Sequence, residues 1–273
     1  MLKPFRSLLR GPSWAFGVTL LVAVVAAPLT AQEPNFGRAM AMSGTDLFVG
    51  QPVNWYGPGT VYAYSADGPS WGEPQLITAP DSSRMDDFGR AIAVDGNTLA
   101  VGAPRKHDRA GAVYLFSRTG TGAAWSHSAT LMAPSGAVEG QLGLAVAMRG
   151  DDLLVGAPSA GDGGAVYHYR RSGGAWSLEN TIGGAEGADG FGAALGWSDD
   201  HLLVGAPRTD EGRGGLYALS LSGGAWSAPA RVDLEGAAAG EDAQAGTSVV
   251  LRDGHALVGA PGAAVVAVLE MAS

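Results

Sequence analysis

From residue 36 onward, short apolar runs alternate with glycine- and proline-punctuated turns. Residues 88–141 show the pattern once through. Residues 90–94 (Arg-Ala-Ile-Ala-Val) form a short apolar strand, and Asp95-Gly96-Asn97 carries the signature of a tight hairpin turn. Residues 98–102 return as a second apolar strand, which Pro104 ends because proline cannot donate to a ladder. Residues 111–116 are rich in β-formers and predict a third strand. These three are apolar at nearly every position, as expected of strands covered on both faces. The fourth alternates instead, placing Trp125, His127, Ala129 and Leu131 on one face and Ser126, Ser128 and Thr130 on the other. That is the pattern of a half-exposed outer strand.

The unit repeats. Val101-Gly102-Ala103-Pro104 recurs at residues 155–158, 204–207 and 258–261, with the variant Val49-Gly50-Gln51-Pro52 ahead of it. An apolar-glycine pair stands 13 residues before each valine: Phe36-Gly37, Phe88-Gly89, Leu142-Gly143, Phe191-Gly192 and Ala245-Gly246. Four copies continue to a tyrosine (Tyr62, Tyr114, Tyr167, Tyr217) and a tryptophan (Trp71, Trp125, Trp176, Trp226). Copies begin 52, 54, 49 and 54 residues apart, a period that signals a repeat architecture. No copy carries a helical 3.6-residue period, and a parallel β-helix needs a shorter coil. One four-stranded sheet cannot cover both of its faces, whereas sheets stacked radially cover each other. The expected fold is all-β, a β-propeller of about five four-stranded blades with the last blade incomplete.

The pairing of Phe88-Gly89 with Val101-Gly102-Ala103-Pro104, followed by Gly111 and Tyr114, resembles an FG-GAP repeat. The resemblance covers residues 36–273, with repeats near 36–87, 88–141, 142–190, 191–244 and 245–273. It implies an integrin α-type β-propeller of the bacterial exported subtype, used for binding or adhesion, with no implied catalysis. Three departures stand out. There are five copies where the integrin type has seven. The fifth has a shortened loop after Pro261 and Val266 in the tyrosine's place. Third, some such blades bind calcium in the first hairpin, but here the constant 13-residue interval leaves only a tight turn. Asp46, Asp95, Asp151, Asp152, Asp199, Asp200 and Asp253 are then turn formers, too few per hairpin to wrap an ion, and no cofactor or metal is expected. A closed five-blade ring is expected, since propellers have four to eight blades. The alternative is an open ring completed by a partner or a second copy.

Residues 1–31 read as a signal peptide: Lys3, Arg6 and Arg10, an apolar run over 14–27, then Pro28 and Leu29-Thr30-Ala31. That run is shorter than a membrane span. The expected location is secreted, cell-surface or periplasmic, with no membrane span after cleavage. Loss of three leader cations takes the formal charge from −9 to −12, which argues against nucleic acid and anionic lipid as partners. The chain has no cysteine, so its exported fold rests on its core.

No nucleophile elbow, no His-x-x-x-His pair and no phosphate-cradling loop occurs. Arg149-Gly150-Asp151 spells an integrin-recognition tripeptide but falls on a hairpin turn that wants glycine for geometry. The loops between second and third strands vary between copies while the frame does not, as functional loops do. They supply the candidate ligand-binding residues: Trp55 and Tyr56, then Arg105, Lys106, His107 and Arg109, then Arg208, Asp210 and Arg213. The expected partner is a protein or glycan on this longer-loop face. Two other classes remain open: a hydrolase or lyase at the channel mouth, and a structural module that self-associates through an open blade edge.

Overall fold

The structure, a computed structural model, describes residues 35–52, 57–68, 70–81, 83–134, 139–252 and 254–270. The expected leader therefore lies outside the described residues. Five separate antiparallel sheets follow one another along the chain. Blade 1 holds β1 (Ala39–Ser43), β2 (Asp46–Gln51) and β3 (Thr60–Asp67), with its outer strand split into β4 (Ser70–Trp71) and β5 (Gln75–Ile77). Blade 2 is β6 (Ala91–Asp95), β7 (Thr98–Ala103), β8 (Ala112–Ser117) and β9 (Ser126–Met132). Blade 3 is β10 (Ala145–Arg149), β11 (Asp152–Ala157), β12 (Ala165–Ser172) and β13 (Ala175–Gly183). Blade 4 is β14 (Ala194–Ser198), β15 (His201–Ala206) and β16 (Gly215–Ser222), its outer strand split into β17 (Ala225–Trp226) and β18 (Ala230–Val232). Blade 5 is β19 (Ser248–Arg252), β20 (His255–Ala260) and β21 (Val265–Glu270). First strands of all five blades line one central cavity of about 340 Å³, so the sheets form a five-bladed β-propeller about a shared axis.

The repeated residues explain the stacking. In each blade the residue before the apolar-glycine pair accepts a backbone bond from the residue three places on, as Asp87 O does from Arg90 N at 3.1 Å. The glycine at the third position of that turn has φ of 82°, 92°, 89°, 96° and 86° in the five blades. This is the left-handed position of a type II turn, where a β-carbon is strained. The glycine of Val-Gly-Ala-Pro, and of Val-Gly-Gln-Pro in blade 1, does a different job. A β-carbon on Gly50, Gly102, Gly156 or Gly205 would strike the carbonyl oxygen of Gly89, Gly143, Gly192 or Gly246 in the next blade. The two glycine motifs are thus the two halves of one inter-blade contact. Around each contact lies a core drawn from facing sheets: Phe48, Val61 and Ile77 against Leu99, Val101 and Tyr114, and likewise at the next three junctions.

Among the described residues the expected ring closure is not found, because the fifth junction is unmade. Gly37 has nothing within 4 Å of its β-carbon position, and that of Gly259 meets only its own blade's Ser248. Phe36 is 51% exposed, whereas Phe88, Leu142, Phe191 and Ala245 at the same place are fully buried. On the opposite end, Val266 is 62% exposed where Val61, Val113, Val166 and Leu216 are fully buried. Ala264, at φ 55°, precedes β21 where Gly111, Gly164 and Gly214 precede their third strands. A β-carbon on those glycines would strike the next blade's backbone, whereas Ala264 is exposed.

Two register expectations change. Opposite Phe116 and Leu115, β9 skips Ser128, so Phe116 faces His127 and Leu115 faces Ala129. This bulge reverses the alternation: Trp125 packs toward blade 1, while Ala129 and Leu131 pack toward blade 3. The same shift in β12–β13 sends Trp176 and Ile182 to opposite sides. In blade 5, Ala267 and not Val266 takes the tyrosine's place, since Ala267 faces Val258 as Tyr217 faces Val204.

Candidate functional site

The loops after β7 and β15 share one backbone shape on different sequences. Arg105 and Arg208 enter at φ −98° and −97°, then three consecutive residues take positive φ: His107 (50°), Asp108 (53°) and Arg109 (71°), against Asp210 (52°), Glu211 (58°) and Gly212 (97°). Each such non-glycine residue costs on the order of 1 kcal/mol and persists only where its surroundings hold it. The holding bonds are matched: Gly111 N to Lys106 O and Gly214 N to Thr209 O, both 2.9 Å. Segments entering first strands emerge beside these loops. Arg105 N donates to Asp86 O and Arg208 N to Asp189 O, both at 3.2 Å. Gln141 N, on the approach to blade 3, donates to Arg109 O at 2.8 Å.

Lys106 does not reach solvent. Its side chain is 5% exposed, and its ammonium donates to Asp81 O at 2.5 Å and to Asp86 Oδ2 at 3.1 Å. The Tyr114 hydroxyl donates to Asp81 Oδ1 at 2.6 Å. Burial, reinforced by this bond, pushes the Tyr114 hydroxyl well above its ordinary range. Burial opposes ionisation of Asp81, but the Tyr114 bond and the Lys106 charge together hold its carboxyl below the usual range. Burial outweighs the neighbouring arginines at Asp87 and raises its carboxyl, whose Oδ1 has no hydrogen-bond partner. Thr209 takes the place of Lys106 in blade 4, bonding Asp189 N at 3.0 Å.

What faces solvent over blade 2 is a groove of about 480 Å³ lined by Arg84, Met85, Arg105, His107, Asp108 and Arg109, with Asp86 and Lys106 at its base. Arg105 pairs with Asp87 at 3.7 Å and Arg109 with Glu139 at 3.4 Å, both cations about half exposed. Over blade 4, Arg208 bonds Asp189 at 3.0 Å and Pro158 O at 2.8 Å, and Arg213 lies 3.6 Å from Glu241. Asp210 accepts from Arg231, and that bond holds its carboxyl below the usual range. The candidate residues thus fall into two clusters, over blades 2 and 4, with blade 3 between them. Trp55 and Tyr56 lie outside the described residues.

Sequence reasoning missed Arg84, Met85 and Arg231. Arg84 and Met85 belong to the entry segment of blade 2, where no repeat motif marks them. The hairpin aspartates Asp46, Asp95, Asp151, Asp152 and Asp199 serve the frame, and Asp253 lies outside the described residues. Asp46 is buried against Arg118 of blade 2 at 2.6 Å, and Asp152 bonds His168 and Arg170 at 2.7 and 2.8 Å. Arg149, Gly150 and Asp151 bond Asp199, Asp95 and Arg171, which ties the tripeptide into the blade undersides. The central cavity is lined by Met42, Val94, Met148, Trp197 and Leu251, with Arg149 its one charged lining residue. Among the described residues no cluster of three His, Asp or Glu side chains is placed to hold a metal ion, and no helix is long and apolar enough to cross a membrane.

Five radial antiparallel sheets joined by glycine-on-glycine contacts define a β-propeller repeat protein. The FG-GAP repeat model matches residues 71–116 and 125–169, across blades 1 to 3. These two matches, together with the propeller, are consistent with an FG-GAP repeat protein. No curated protein matches it in sequence.

Proposed function

We propose that this chain is an exported, non-catalytic binding or adhesion module that recognises a protein or glycan through its longer-loop face. The observation that carries the reading is the pair of loops after β7 and β15. Their backbones match in φ at the entering arginine and at the two residues that follow Lys106 and Thr209, yet one displays His-Asp-Arg and the other Asp-Glu-Gly. A fixed and strained frame that presents changing side chains is how binding loops are built. The basic leader and the apolar run over residues 14–27 support export. A screen of the exported chain against glycans and surface proteins tests the reading. Trp55→Ala/Tyr56→Ala and Arg105→Ala/Arg109→Ala variants serve as loop-face knockouts. The reading expects a partner whose binding falls in at least one of them. A partner bound equally well by both variants contradicts it.

A further inference from the structure

We infer that the groove over blade 2 takes an acidic peptide segment, with its carboxylates on Arg84, Arg105 and Arg109 and an apolar side chain against Met85. This rests on the reading of the longer-loop face as a binding surface. Of the groove's charged lining, Lys106 and Asp86 neutralise each other at its base. Three arginines then face one aspartate, Asp108, in a chain of formal charge −9.

The fold does not ask for all of that charge. The blade 4 loop has Gly212 where blade 2 has Arg109, while Arg208 there matches Arg105. Nor are the cations spent internally. The Arg105–Asp87 and Arg109–Glu139 pairs are long, at 3.7 and 3.4 Å, and their arginines are half exposed. Exposed pairs of this kind contribute little and exchange readily for a better-placed carboxylate. Guanidinium matches a carboxylate two bonds at a time, which selects carboxylates over diffuse negative charge.

Met85 favours peptide over polysaccharide. It is 61% exposed on a left-handed residue, φ 69°, which turns a flexible apolar side chain out at the rim. A thioether adapts to varied apolar side chains, whereas sugars favour flat aromatic platforms. Among the groove's lining residues none is Phe, Tyr or Trp.

The test titrates the full exported chain with a fluorescent peptide of alternating glutamate and leucine. Glutamine-leucine and lysine-leucine peptides and a polyuronate are run alongside. The acidic peptide should bind, more weakly as salt rises, while the neutral and basic peptides do not. Arg105→Ala/Arg109→Ala should weaken it about tenfold or more, as loss of charged hydrogen bonds does. Met85→Ser should weaken it less, and Arg208→Ala/Arg213→Ala over blade 4 should not. Thermal melts confirm that the variants fold. Equal binding by wild type and the Arg105/Arg109 variant overturns the inference, as does binding of polyuronate without binding of the peptide. If the screened partner needs the loop face but the acidic peptide fails, the inference falls and the binding-face reading stands. If partner binding ignores the loop face, that reading falls on its own.

Discussion

Substituting alanine for the glycine of Val-Gly-Ala-Pro tests the junction chemistry directly, because the chain contains its own control. In Gly102→Ala the new methyl lands on the Gly143 carbonyl oxygen and lies 2.9 Å from its carbon and 3.3 Å from its Cα. All three are backbone atoms of the next blade, anchored by Gly143 N donating to Gly156 O at 3.0 Å. Relief requires blades 2 and 3 to separate, which loosens the core of Leu115, Leu142, Leu153 and Val155 between them. Overpacking of this kind costs about 1–3 kcal/mol, and rigid backbone puts this site at about 3. In a domain of this size each kcal/mol moves Tm by about 2–4 °C, so a fall of roughly 6–12 °C is expected. Gly259→Ala changes the same position of blade 5, but there the methyl meets only the Ser248 hydroxyl, a side chain that can rotate away. Its Tm should move by less than about 2 °C, the scale of a surface substitution. Melts of the two variants beside wild type decide the matter. Equal losses would refute the assignment of these glycines to inter-blade contact.

Three further outcomes follow from the same geometry. Lys106→Met leaves Asp86 buried without its cation and should cost about 3 kcal/mol or more in urea unfolding; adding Asp86→Leu should restore part of that, and no recovery would place the loss elsewhere. Met40→Asp and Ile92→Asp change equivalent strand positions, one 67% exposed and one packed between blades. The first should stay within about 0.5 kcal/mol while the second costs on the order of 3 kcal/mol; equal penalties would mean the ring closes over Met40. Burial pushes the Tyr169 hydroxyl up to about 12 and raises that of Tyr167, while burial and the Asp81 bond raise Tyr114. A raised folded value gives stability that is complete below the unfolded value of about 10 and is lost as pH climbs through the folded one. The urea midpoint should therefore hold to about pH 10 and fall toward pH 12, less steeply in Tyr169→Phe; a flat midpoint would refute the burial of these hydroxyls.

The frame was legible because its causes are local and repeated. The hairpin at Gly96 and the stop at Pro104 each follow from a few adjacent residues, and five copies with the same 13-residue internal interval make the sheet count readable. What escaped depends on residues far apart in sequence. The Asp46–Arg118 pair joins two blades, so neither local pattern announces it. The bulge opposite Phe116 that turns Trp125 away from Leu131 leaves the alternating letters unchanged. Ring closure could not be read from five copies, since it depends on how far each Gly-on-Gly contact rotates its blade. Ala264 was the available clue: a β-carbon where other blades keep glycine marks a face with no blade against it. At the loop face the variable residues were visible, but their division was not. Lys106 and Arg105 are neighbours in the chain, yet one is sealed under the loop and the other half exposed on the groove.

Distances between spin labels on the five hairpin turns give the plainest test of blades set about one axis. The cysteine-free chain accepts labels singly paired at Thr45, Asn97, Asp151, Asp200 and Gly254. Measured from Thr45, the distances should grow over the next two blades and then level off or shrink by Gly254. A steady increase from one turn to the next, through to Gly254, would mean a linear stack and would contradict the propeller.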